Sequence, residues 1–184
     1  FPELVELPDD YKKRLTEVHY LAAVVVTLEL SQPLTDFYWM NIADSEVPFL
    51  GLIEHTNMLP KEWYGSSHVL YLTNYLDRTD PIYNMSQDEL LDLYLPHLTK
   101  FNPEFDRSWI KEVHYNALSA AQPVIGTKYS GAIADHRTPL KKLYLANTTQ
   151  IYPEDRGTNY SIQMGRGLAA TILGDEQQNW RNWQ

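Results

Sequence analysis

The chain has 184 residues, 43% hydrophobic and 21% charged, with a formal net charge of −9, an ordinary balance for a globular protein with one sizeable core or two small ones. The negative balance, with no basic run longer than Lys12-Lys13-Arg14, argues against a nucleic-acid groove, which must neutralise phosphates with clustered Lys and Arg. Cysteine is absent, which excludes disulfides, thiol chemistry and cysteine-ligated metal.

The longest apolar run, Leu21 to Leu28, falls well short of the ~20 residues a bilayer span needs. No basic-then-apolar signal segment opens the chain, so a cytoplasmic location is expected. The first residue is Phe1, which suggests a fragment. Aromatic residues make up 12%, including 13 Tyr and 5 Trp. Such residues suit either a β-rich core or a surface for flat ligands.

In chain order, Pro8-Asp9-Asp10 followed by Tyr11 to Leu15 predicts a short capped helix. His19 to Leu30 reads as a long strand, Gln32 to Asp36 as a turn and Phe37 to Ile42 as a second strand, so 19–42 is expected to be a hairpin. Phe49 to His55 is a third strand, with Gly51 a candidate bulge. Ser67 to Tyr75 is a fourth, with strict alternation. Ser86-Gln87-Asp88-Glu89 is a capping box, opening a helix to about Thr99 that Pro96 interrupts. Trp109 to Leu118 reads as a strand and Pro123 to Ser130 as extended. The last unit is a strand at 141–147, a polar loop, and a small-residue helix from Tyr160 to Leu173. The tail, 175–184, is expected to fray.

The predicted fold class is α+β. A mostly antiparallel sheet with flanking helices occupies 1–135, and a strand–loop–helix at 136–174 has the style of a nucleotide-binding α/β domain. Gly165-Arg166-Gly167-Leu168-Ala169-Ala170 matches the dinucleotide fingerprint in letters only. Those glycines belong in the turn directly after a strand, whereas here they fall in mid-helix. Ser161, Gly165 and Ala169 recur at helical spacing, which predicts a bare face for close packing. Gly157-Thr158-Asn159, at the helix start, can offer free N–H groups to an anion or simply cap the helix. His19, His68, His97, His114 and His136 lack a metal-type spacing, and no metal is expected.

Leu143 to Asn147, Ile151 to Tyr160 and Gly165-Arg166 resemble the C-terminal end of the FAD-dependent amine oxidase, protoporphyrinogen oxidase and phytoene desaturase superfamily. Pro48 to Asn57, Tyr71 to Leu76 and Gln122-Pro123-Val124 resemble its protoporphyrinogen-oxidase-like branch. The resemblance implies a substrate-binding domain followed by the closing segment of an FAD domain, with the usual Gly-rich diphosphate turn lacking. Carried over by position, Ala146, Asn147, Gly157, Thr158 and Asn159 would contact FAD. Ala146-Asn147 stands where the family has Gly followed by an acid.

On the substrate side, Glu54-His55 at a strand end is the candidate catalytic pair. Glu54 could take a proton and His55 titrate near neutrality, or the two could be strand-end turn contacts. Tyr129 and Tyr152 could line a flavin or substrate, or pack. The implied reaction passes a hydride from a C–N or C–C bond of a small substrate to flavin. The fragment alone is expected to be inactive, to bind FAD weakly at best, and to be prone to dimerise through an exposed apolar face. Two other readings stay open: a flavin-dependent sugar mutase of the UDP-galactopyranose type, with Arg137, Arg156 and Arg166 as the only candidate diphosphate ligands near the expected cofactor site, and a non-enzymatic ligand-binding module.

Overall fold

The structure is a computed structural model, and it describes residues 2–181. Its elements in chain order are α1 (Asp9–Thr16), β1 (Tyr20–Leu30), β2 (Trp39–Asn41), β3 (Gly51–Glu54), β4 (His68–Leu76), α2 (Gln87–Tyr94), β5 (Ile110–Pro123) and α3 (Thr158–Arg181). The architecture is α+β, with one open antiparallel sheet in the order β2-β3-β4-β1-β5. The chain divides into two compact units, residues 20–122 and residues 2–19 with 123–181. Residues 2–19 therefore group with the segment from 123 onward. No helix among the described residues is long and apolar enough to cross a membrane.

The unit at 20–122 is organised by alternation. Val24, Val26, Leu28 and Leu30 of β1 are buried on one face, and β4 answers with Leu70 and Leu72. The two strands pair without a break from Ala22↔Leu76 to Leu30↔His68. α2 covers this face. Its start is the predicted capping box: Ser86 accepts from the Glu89 N–H, and Glu89 accepts from Ser86. Pro96 cannot donate an amide, and the chain beyond α2 tightens into a 3₁₀ turn over Leu95–Lys100. Leu90, Leu91, Tyr94, Leu95 and Leu98 fill the layer. Phe49 meets Tyr94 edge-on, with ring centres 5.2 Å apart.

The expected 19–42 hairpin does not form. β1 pairs with β4, while β2 pairs with β3 through Trp39↔Ile53, Met40↔Leu52 and Asn41↔Gly51. The turn after β1 is held by side chains at the end of β3 instead of folding β2 back on β1. Gly51 is also no bulge. It keeps regular register with Asn41 and Thr73, and a Cβ there would lie 2.7 Å from Thr73 Oγ1. The glycine is required by a close approach. β5 runs on to Pro123, longer than the predicted strand, and absorbs the start of the 123–130 segment.

The other unit carries little apolar core. Among its described residues only Tyr11, Pro123, Tyr129, Ala134 and Ile151 are buried apolar side chains. Its loops are tied by side chain–backbone bonds: Tyr11 donates to the Asp135 carbonyl (2.8 Å), Tyr129 to that of Thr149 (2.6 Å) and Gln150 to that of Ala134 (2.9 Å). The predicted strand at 141–147 shrinks to a single bridge, Arg137↔Tyr144. Its backbone is satisfied locally, by Leu145 N–H to the His136 carbonyl and Thr138 N–H to that of Leu143, around a turn with Lys142 at φ 64°. α3 is longer than expected at both ends and runs to Arg181. Of the tail expected to fray, residues 182–184 lie outside the described residues.

Candidate functional site

The string Glu54-His55-Thr56-Asn57 closes β3 and bends into a 3₁₀ turn over His55–Asn57. Three of its four side chains are spent on backbone. Glu54 is fully buried, its Oε1 accepting from the Leu34 N–H (2.9 Å) and its Oε2 from the Thr35 N–H (2.6 Å) and Thr35 hydroxyl (3.1 Å). Asn57 donates to the carbonyls of Thr35 and Phe37, and Thr56 Oγ1 accepts from the Val69 N–H. Two of the four thus grip the 34–37 turn that replaces the hairpin. His55 leaves in another direction: its Nε2 lies 2.7 Å from the Tyr64 hydroxyl, with Tyr64 and Tyr71 both edge-on to its ring.

Burial raises the Glu54 carboxyl above its ordinary range, while the bonds from Thr35 and Leu34 pull it down. Behind it, His68 Nδ1 lies 4.0 Å from Glu54 Oε1, buried and without a hydrogen-bond partner. Burial chiefly, then the cations of Lys61 and Lys111, lowers the His68 pKa. Glu54 and His55 are therefore divided by the strand end. Of the two, Glu54 takes the turn-contact alternative, and only His55 is positioned beside an accessible surface.

That surface is the face of the sheet opposite α2. Register aligns Asn41, Gly51, Thr73 and Val25 in one row across four strands, and Trp39, Ile53, Tyr71 and Thr27 in the next. Gly51 has no side chain, so the rows dip into a shallow groove of about 210 Å³, walled by Trp39, Leu50, Ile53 and Tyr75. Trp39, Leu50 and Tyr75 are exposed. The Trp39 indole N–H donates to Asn41 Oδ1 (2.9 Å), which fixes the ring. Burial, with Tyr64 and Tyr38 nearby, raises the Tyr71 pKa and keeps its phenol protonated. Sequence reasoning noted the alternation in β4 but drew no site from it. The signal was there: Tyr71, Thr73 and Tyr75 fall on the face that Leu70 and Leu72 leave open.

The remaining predicted residues lie in the other unit. Tyr129 is buried and its hydroxyl is committed to Thr149, with Tyr152 tilted against it at 5.8 Å and partly exposed. Asn147 accepts from the N–H and hydroxyl of Thr149, capping the turn over Thr148–Gln150, and Ala146 precedes it. Gly157, Thr158 and Asn159 are contiguous at the start of α3, whose first intrahelical bond runs from the Ser161 N–H to the Gly157 carbonyl. A Cβ on Gly157 would fall 2.7 Å from Asn159 Oδ1. Gly165 and Gly167 sit in mid-helix, outside any strand-to-helix turn. The close packing predicted for them is not observed, since a Cβ at either would meet nothing within 4 Å.

No protein-family model and no curated protein sequence matches the chain. Solved structures do. The crystal structure of a putative protoporphyrinogen oxidase from Exiguobacterium sp. 255-15 aligns over 71% of this chain with a TM-score of 0.56 and 16% identity. A reduced UDP-galactopyranose mutase aligns over 67% with a TM-score of 0.51 and 13% identity. An oxidoreductase from Methanosarcina mazei aligns over 73%, with a TM-score of 0.49 and 17% identity. The chain spans 30%, 26% and 30% of those chains, respectively. At such identities the likeness is one of fold. It agrees with the sequence resemblance: this chain folds like part of a protoporphyrinogen-oxidase-like oxidoreductase.

Proposed function

We propose that this chain is the substrate-side sheet and closing segment of a flavin-dependent oxidoreductase of the protoporphyrinogen oxidase and amine oxidase kind. The observation that carries the reading is the fold shared with the Exiguobacterium protein. The open aromatic face beside His55 supports it. Trp39, Tyr71, Tyr75 and Ile53 give a flat apolar wall, and Gly51 gives it depth, which suits a planar or hydrocarbon substrate.

Gly157, Thr158 and Asn159 would hold the flavin diphosphate. They fit an anion: the first N–H groups of a long helix lack intrahelical partners, and its first turn has no acidic residue. Gly157 also lets the backbone approach closely, because a side chain would strike Asn159. Ala146 and Asn147 would lie along the cofactor by backbone only, since the Asn147 carboxamide is used in its own turn. Bound flavin would supply the hydride-accepting chemistry. The chain's contribution at the reacting end is to orient substrate on the sheet, exclude water with the aromatic wall, and move a proton at His55 Nε2 with Tyr64 as its hydrogen-bond partner.

The test is flavin reduction by substrate in the intact, flavin-loaded protein. His55→Ala is expected to slow it by about 10²-fold, the usual scale of acid–base help. Tyr64→Phe is expected to have a smaller effect in the same direction. Unchanged rates in both would remove the pair from the reaction. Mixed with FAD, the 184-residue chain alone is expected to bind it weakly, and a stoichiometric yellow complex would overturn the reading as a partial site.

The mutase likeness favours a second reading, a redox-neutral rearrangement of a nucleotide sugar. It would need arginines on the diphosphate. Arg137 is already committed to Asp175 through two bonds of 2.7 and 2.8 Å. Conversion of a UDP-sugar without net oxidation would decide for it.

A further inference from the structure

We propose that Glu29, Glu112 and His114 form a binding site for a divalent transition-metal cation, with zinc the expected occupant. Glu29 lies on β1 and the other two on β5, adjacent strands of the sheet. Glu112 and His114 are two residues apart, so strand alternation puts both on one face. His114 Nε2 lies 3.5 Å from Glu29 Oε1 and 3.8 Å from Glu112 Oε1, and the three ligand atoms all fall within 4.8 Å of one another. Ligands at ~2.1 Å from a tetrahedral zinc stand roughly 3.4 Å apart. The side chains therefore need only small rotations to share one ion.

Three further features separate this cluster from a casual surface ion pair. Its backbone is fixed, since Val113 and Tyr115, which alternate with Glu112 and His114 along β5, pack on the core, and the Tyr115 hydroxyl donates to the Met85 carbonyl. The donor set is one imidazole and two carboxylates, which suits zinc better than magnesium or calcium because the nitrogen ligand is soft enough to select it. The neighbouring cation does not compete: Lys111 is turned to the opposite face, with its ammonium on Ser67. Three protein ligands leave at least one position on a tetrahedral ion open to water or to another ligand. The site has no compact sequence motif, because its third ligand arrives from a strand 83 residues before Glu112.

Isothermal titration of the purified chain with zinc chloride, with magnesium chloride as the comparison ion, tests the proposal. One saturable zinc site is expected, with no magnesium competition and with affinity falling as pH is lowered, because protons compete for the imidazole. His114→Ala is expected to weaken zinc at least about tenfold, and the double variant Glu29→Gln, Glu112→Gln by at least as much. His97→Ala, away from the cluster, is expected to leave it unchanged. All these positions are solvent-accessible, so circular dichroism melts should match the unsubstituted chain. Absence of saturable zinc binding, or binding that His114→Ala leaves intact, overturns the proposal.

Discussion

The two compact units are stabilised by different means. In 20–122, a continuous apolar layer from Val24 to Leu98 lies under the sheet, with Tyr94 and Phe49 among its largest buried side chains. In 2–19 with 123–181, five apolar side chains are buried among the described residues, and loops are fastened by hydroxyl and carboxamide bonds to backbone carbonyls. Apolar burial contributes ~25 cal/mol per Å² wherever area is hidden, whereas a neutral hydrogen bond contributes only about 1 kcal/mol net. The first unit should therefore unfold as a strong cooperative block and the second as a weaker one. The open face of the sheet, with His55 beside it, rests on the stronger unit. The helix start offered to an anion belongs to the weaker one.

The sharpest test of that contrast is Phe49→Ala. It removes a fully buried ring that meets both Tyr94 and Phe101. A loss of about 3–5 kcal/mol is expected, read by urea denaturation with the β-sheet signal as probe. A loss below about 1 kcal/mol would mean the layer is not the main support of its unit.

Glu54→Ala is expected to cost about 3 kcal/mol, since it strands the N–H groups of Leu34 and Thr35 and removes charge-assisted bonds. The pH dependence carries the sign. Burial raises the Glu54 pKa above 4.5, so its contribution is fully present below that value and is lost as pH rises through the folded pKa. The His68 pKa is lowered from 6.5, so its contribution is present above 6.5 and lost as pH falls through the folded value. Glu54→Gln should abolish the first slope and keep the second in a denaturation series across the acid range. Persistence of both slopes would show that another carboxyl is responsible.

Much of the stronger unit was legible from sequence for the same reason that it is strong. Alternation in β1 and β4, and the Ser86–Glu89 box, are local patterns that burial and capping reward directly. Strand pairing was not legible, because it depends on which distant groups satisfy the turn after β1. The carboxylate that does so arrives from Glu54, 20 residues from Leu34. The same contact redirected the site. A glutamate beside a histidine reads as chemistry along the sequence, but the strand end turns the glutamate inward and leaves the histidine on the aromatic face. In the weaker unit, local residues misled in the opposite way. Leu143 to Leu145 has strand composition but finds partners only across its own short turn. Gly165 and Gly167 have a packing pattern with nothing within 4 Å to pack on.

Gly51→Ala probes the groove itself. The new methyl would lie 2.7 Å from Thr73 Oγ1, on a stiff β-branched side chain in the next strand. Overpacking of this kind costs about 1–3 kcal/mol. Thr73→Ala in the same chain should restore most of it, and failure of that rescue would trace the glycine to backbone freedom rather than to the close approach.

The smallest effect expected is that of Tyr129→Phe, and it bears most directly on the weaker unit. The substitution keeps the buried ring and its tilted contact with Tyr152, and removes only the 2.6 Å bond to the Thr149 carbonyl. That carbonyl is left without this donor inside the fold, so the expected loss is about 1–2 kcal/mol. The loss should register in hydrogen exchange of 123–157 and leave the β1 and β4 amides unchanged. Lower protection in one unit alone would establish that the two open separately. Equal loss of protection in β1 and β4 would instead make the chain a single cooperative block, with the hydroxyl bonds as much a part of its stability as the apolar layer.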